Sequence, residues 1–231
     1  MRKKYLLLTL ILGSLSVSSF GFAYKTPIKI EKEKIQGKKE NQTKILYKEL
    51  GLEKKLDYDV FEKALKGYEK ITDKKKNVLT IVDYAKPSTQ ERFFVVDLNQ
   101  RKVLISSHVA HGRNSGGNIA TSFSNKMSSY KSSLGFYLTE NTYMGGNGYS
   151  LVLDGLEKGI NDKAKERYIV IHGADYANPK LAKSQGRLGR SLGCPALPKS
   201  VYKEAINLIK GGSVVFVNGN DSNYLENSQY V

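Results

Sequence analysis

The chain has 231 residues, of which 37 are Lys or Arg and 22 are Asp or Glu, giving a formal net charge of +15, and it carries a single cysteine. One cysteine excludes an internal disulfide and leaves a buried inert thiol, an intermolecular bridge or a reactive thiol. The basic excess favours polyanions. For an exported chain these are anionic envelope polymers such as the cell wall, acidic glycans or lipid head groups rather than nucleic acid, although lysine-rich faces also serve solubility alone.

Export is the expectation from the first residues. Met1-Arg2-Lys3-Lys4, an apolar run from Tyr5 to Val17 and the small-residue end Gly21-Phe22-Ala23 read as a signal peptide over 1–23, with a retained N-terminal anchor as the other outcome. The run is short for a membrane span. The expected location is therefore the periplasm or cell envelope, and removal of Arg2, Lys3 and Lys4 leaves 34 basic against 22 acidic residues, a net charge of +12.

Residues 24–43 are rich in Lys, Glu and Gln and read as a flexible linker, followed by a helical segment over 44–75. Within it, Val60, Phe61, Ala64, Leu65, Tyr68 and Ile71 share one helical face. Asp59 and Glu62 resemble a capping box that starts a helix over 60–71. After Lys74-Lys75-Lys76 the apolar period changes from 3.6 to 2. Strands are expected over Val78–Tyr84, Arg92–Leu98 and Lys102–Val109, the last two forming a hairpin. Gly and Ser then dominate Gly112–Ser133, a loop long enough to suggest function. Further strands are expected over Gly135–Thr139, Tyr149–Leu153, Arg167–Ile171 and Ser213–Val217, with a helix over Val201–Ile209. The sum is a mainly β domain with a few helices (α+β) over 76–219, and a polar tail over 220–231.

The lone cysteine sits in Gly189-Arg190-Ser191-Leu192-Gly193-Cys194-Pro195. Gly193 permits a positive φ and keeps side-chain bulk away from the thiol, and the backbone N–H groups around Leu192 and Gly193 are candidate oxyanion donors. Taken locally, a catalytic thiol and a buried structural one are equally compatible with the pattern. His172 ends the apolar run Ile169-Val170-Ile171, and Gly173 lets a carbonyl turn back to the imidazole, fixing its tautomer and leaving the second nitrogen as a base. A satisfied structural histidine is the alternative. His111, in Ala110-His111-Gly112-Arg113, is a rival base or substrate contact, and His108 is expected to be structural. Ser191 either bonds near the thiol or caps the turn.

His172-Gly173 and Gly189-Arg190-Ser191-Leu192-Gly193-Cys194 resemble the signature of the YkuD-type murein L,D-transpeptidases. Gly148 through Glu157, Asn161-Asp162, Arg167 through Gly173, Val109 through Arg113, Phe123-Ser124-Asn125 and Ser133-Leu134-Gly135 are similar to one branch of that family. The likeness spans about residues 60–218. It implies a β-sandwich or barrel-like catalytic domain, Cys194 as nucleophile, His172 as general base and no metal or organic cofactor. It also implies peptidoglycan stem peptides as partners. Cys194 would form a thioester, release D-alanine, and pass the acyl group to an amine in a 3-3 cross-link. Leu192 departs from the pattern, because better-known members carry a second histidine there. Arg190 then either binds a substrate carboxylate through its fork or holds the loop. The acyl acceptor is left open between an amine, water (an L,D-carboxypeptidase) and a protein. A cell-wall-binding module without catalysis is the reading from a different class.

Overall fold

A computed structural model describes residues 27–231, with side chains from 35 onward. The expected signal peptide lies outside the described residues. The first element is a helix, α1 (Pro27–Glu49), so residues 27–43, expected to be a linker, are helical and continue into the predicted helical segment. Their Lys, Glu and Gln are good helix formers, which the compositional reading of a linker undervalued. From Glu40 onward the chain forms one compact unit. There α1 buries Thr43 and Tyr47, and Tyr47 lies against Tyr58 and Phe61.

Helix α2 (Tyr58–Lys70) starts two residues before the expected position. Asp57, not Asp59, is the N-cap residue, and its side chain makes no cap bond. Val60, Phe61, Ala64, Leu65 and Tyr68 are buried, as their spacing predicts. Each such side chain contributes about 1.5–3 kcal/mol when fully buried. At Gly67 a Cβ would lie 2.0 Å from the Phe136 ring, so glycine lets the helix press directly on the sheet.

The sheet has eight strands: β1 (Val78–Asp83), β2 (Phe93–Asp97), β3 (Lys102–Ser107), β4 (Gly135–Gly145), β5 (Gly148–Gly155), β6 (Val170–Ala174), β7 (Ala196–Pro198) and β8 (Val214–Asn218). Their spatial order is β3-β2-β1-β8-β4-β5-β6-β7. The β1–β8 and β6–β7 pairs are parallel and the others antiparallel. Just beyond β3, Ala110 bridges to Ala196 on β7, which joins the two edges and makes the sheet nearly a closed barrel. Such closure leaves little unpaired strand edge. Inside, Phe136 stacks on Phe216 with ring centroids 4.5 Å apart.

Several boundaries shift. Residues 157–169, whose end was expected in a strand from Arg167, instead form consecutive turns in which Asn161 N and Asp162 N donate to Glu157 O and Arg167 N donates to Lys163 O. Tyr168 has φ +55, which no strand residue adopts, so β6 starts only at Val170. Helices α3 (Pro179–Gln185) and α5 (Ser222–Asn227) were not expected, whereas α4 (Tyr202–Ile209) lies where the periodicity put it. α5 makes the tail a packed element: Tyr224 is buried, and the carboxylate of Glu157 accepts from the hydroxyls of Tyr224 and Ser228.

Candidate active site

Strands β6 and β7 run parallel, with His172 paired to Ala196. Cys194 stands two residues before that partner, so the fold brings side by side two segments that the sequence separates. The thiol is buried; Val170 N donates to Sγ at 3.5 Å, and Sγ donates to Tyr168 O at 3.5 Å. Among the described residues no hydrogen bond joins Sγ to the imidazole. His172 Nδ1 lies 3.2 Å from Gly173 O. A carbonyl only accepts, so Nδ1 carries the proton and Nε2 presents its lone pair. Nε2 makes no hydrogen bond among the described residues.

Burial shifts both groups toward neutrality. It pushes the Cys194 thiol up, opposed by the Val170 N–H and by the charge of Arg167, and it pushes His172 down, opposed by the Gly173 carbonyl. Both shifts favour the neutral pair, a thiol and an imidazole.

The turn around Cys194 is held from within. Ser191 Oγ accepts from Gly193 N at 3.0 Å and donates to Cys194 O at 2.6 Å, which makes Ser191 the cap of the turn. This corrects one expectation: the Gly193 N–H is consumed by Ser191 and does not face a substrate. The N–H groups of Leu192 and Cys194 make no hydrogen bond among the described residues, and they are the free donors beside Sγ. Gly193 has φ +127, and a Cβ there would sit 2.9 Å from Lys131 O and 3.0 Å from Ile169 Cδ1. Only glycine fits. The Leu192 side chain is 59% exposed and takes no part in this packing.

His111 does not reach the site as a substrate contact or rival base. It is 1% exposed, with Nδ1 2.8 Å from Arg92 Nη2 and Nε2 3.3 Å from Gly116 O. Arginine only donates, so both ring nitrogens are occupied. Burial, with Arg92 second, holds its pKa down at about 4. Arg92, which sequence reasoning missed, is itself buried and also donates to Val109 O and Lys86 O. Its only sequence signal was an arginine at the head of an apolar strand. His108 bonds Thr89 O at 3.1 Å. Arg190 Nη1 donates to Arg113 O at 3.2 Å and Gly116 O at 3.0 Å, so in this structure the residue holds the glycine-rich loop.

That loop is tied rather than loose. Ser132 Oγ accepts from Gly112 N and donates to Gly193 O, both at 3.0 Å, and Ser132 N donates to Ser115 Oγ at 2.9 Å. Serine hydroxyls donate and accept at once, so a serine-rich loop can cross-link its own backbone. Among the described residues no group of three or more His, Cys, Asp or Glu side chains could hold a metal, and no helix is long and apolar enough to cross a membrane.

Residues 52–218 match the family YkuD_2, described as the L,D-transpeptidase catalytic domain. A search of the curated proteins finds no match to this chain. Among solved structures, the chain is similar to an L,D-transpeptidase from Mycobacterium smegmatis, at 14% identity and a TM-score of 0.38 over 62% of this chain and 59% of that one. It is also similar to an L,D-transpeptidase (Yku) from Stackebrandtia nassauensis, at 20% identity and a TM-score of 0.37 over 78% and 77% of the two chains. A mutant form of the helical cell shape determining protein Pgp2 from Campylobacter jejuni gives 13% identity and a TM-score of 0.42 over 68% and 54%. The chain thus spans 59% of the length of the first of these structures. The family match extends over more than half the chain and covers the whole segment from α2 to β8, and so this chain belongs to the L,D-transpeptidase catalytic domain family.

Proposed function

We propose that the chain is an exported peptidoglycan L,D-transpeptidase with Cys194 as nucleophile and His172 as general base. One observation carries the reading. The His172 imidazole is fixed by Gly173 O with Nε2 unengaged, on a strand whose parallel neighbour begins two residues after the thiol.

In the proposed reaction Nε2 takes the thiol proton and the thiolate attacks the carbonyl carbon of the L-centre to D-alanine bond in a stem tetrapeptide. The Leu192 and Cys194 N–H groups are the donors available to the oxyanion. The C–N bond breaks, D-alanine leaves with the proton returned by His172, and a thioester remains on Sγ. An amine of another stem then displaces the thiol, forming a 3-3 cross-link. Transfer to water instead is the L,D-carboxypeptidase reading.

Incubation with disaccharide-tetrapeptide followed by intact mass measurement tests this. The expected product is protein carrying the substrate less D-alanine, absent in Cys194→Ala. Folded wild-type protein that forms no adduct overturns the proposal and favours a cell-wall-binding module. Analysis of the released muropeptides separates cross-linking from trimming.

A further inference from the structure

The geometry points to Arg167 as a positioning residue for Cys194, its guanidinium clamped by the 124–133 loop against Gly193 so that its charge stabilises the thiolate formed when His172 takes the proton. This rests on Cys194 being the nucleophile proposed above.

The first observation is how the guanidinium is held. Nη1 donates to Ser124 O at 2.7 Å and to Ser133 Oγ, and Nη2 donates to Lys131 O at 2.6 Å and Ser129 Oγ at 3.3 Å. All four partners are neutral oxygens, and Arg167 forms no ion pair among the described residues. A half-buried cation with no carboxylate keeps its full charge to offer to a neighbour.

The second observation is where it is held. A Cβ on Gly193 would lie 3.5 Å from Arg167 Nη2, and Gly193 directly precedes the nucleophile. The acids that feel Arg167 are the Tyr137 phenol and the Cys194 thiol. Tyr137 is fully buried and its phenol is pushed far up, so it stays neutral. A thiolate at Cys194 is then the one anion that can form within reach.

The other titratable groups facing the thiol supply no charge at neutral pH. Burial pushes His172 on β6 down, the Tyr176 phenol up to about 12, and the Tyr84 phenol higher still. Arg190 is turned to the carbonyls of Arg113 and Gly116. The division of labour follows: His172 moves the proton and Arg167 holds the charge left behind. Burial alone would suppress the thiolate, and the Val170 N–H together with a fixed cation opposes that.

Cys194 is the only cysteine, so alkylation reports on it without ambiguity. The rate of iodoacetamide labelling of the full chain is measured from pH 5 to 10 for wild type, Arg167→Gln and Arg167→Lys. The midpoint is expected to rise by about one pH unit in Arg167→Gln, about tenfold less thiolate at pH 7, and to return most of the way in Arg167→Lys. If Arg167 only holds the loop, Arg167→Gln alters the plateau rate through access and leaves the midpoint unmoved, which overturns the inference. Should circular dichroism show Arg167→Gln unfolded, Ser129→Asp places a carboxylate beside the guanidinium at a half-buried position of the loop. Its midpoint is expected to rise, and an unmoved one overturns the inference. Wild type that acylates with tetrapeptide while the midpoint fails to shift sinks this inference alone, whereas wild type that never acylates sinks the function proposed above.

Discussion

Ser132 and Gly193, 61 positions apart in sequence, are joined by the Ser132 hydroxyl donating to the Gly193 carbonyl at 3.0 Å. The same oxygen accepts from Gly112 N at 3.0 Å, so one serine fastens the two ends of the glycine-rich loop to each other and to the Cys194 turn.

Ser132→Ala therefore leaves a buried carbonyl and a buried N–H unpaired at once. The expected cost is about 1–3 kcal/mol of stability, because an orphaned buried polar group loses its solvation without compensation. Urea unfolding monitors the stability, and adduct formation with tetrapeptide should slow in the same variant. A variant as stable and as fast as wild type would show that the serine does not organise the turn.

Gly67→Ala sets two effects against each other. Alanine favours a helix interior over glycine by about 1 kcal/mol, but the new methyl would stand 2.0 Å from the Phe136 ring, which is stacked on Phe216 and has nowhere to go. Overpacking of this kind costs about 1–3 kcal/mol, so a net loss of stability is expected, read as a lowered Tm.

His111 gives the protein an acid-sensitive element. Its pKa is about 4 in the fold, below its value in the unfolded chain. The unfolded state therefore takes up the proton first as pH falls. The stabilisation is present above about pH 6.5 and is lost as pH falls through about 4, a change of at most about 3 kcal/mol. Buried carboxylates pushed upward, such as Glu157, work in the opposite sense, so the comparison needed is with a variant. His111→Gln should be less stable than wild type at pH 7, yet lose less between pH 6.5 and 4 in denaturant titrations.

Leu192→His tests whether the missing second histidine matters to the fold. The side chain is largely exposed and belongs to neither hydrophobic cluster, so stability is expected to stay within about 0.5 kcal/mol of wild type. Acylation in this variant should still vanish on adding His172→Ala, since only His172 has its ring oriented by Gly173 O.

Apolar spacing alone located the helix that became α2, the strands β1, β2, β3 and β8, and the β character of the domain. Each of these is a local pattern of burial. The candidates His172 and Cys194 were equally legible, because a strand-ending histidine and a glycine-flanked thiol are each written in contiguous residues. Missed features depended on partners far away in the chain. Nothing near Gly193 indicates that Ser132 will donate to its carbonyl, and nothing near His111 indicates that a buried Arg92 will fill one side of its ring.

The sequence by itself determined which segments are apolar on one face, which turn needs a glycine, and that one thiol and one strand-end histidine are available for chemistry. The tertiary structure decided which groups are used up and which are left free. Parallel pairing of β6 with β7 sets the His172 strand beside the Cys194 segment, bridging of Ala110 to Ala196 nearly closes the sheet, Arg92 and Gly116 occupy the buried His111 ring, and folding of the 124–133 loop clamps Arg167 beside Gly193. The physical reason is the same in each case: hydrogen bonds and desolvation act through space, and their strength at a site is set by neighbours that only the folded chain supplies.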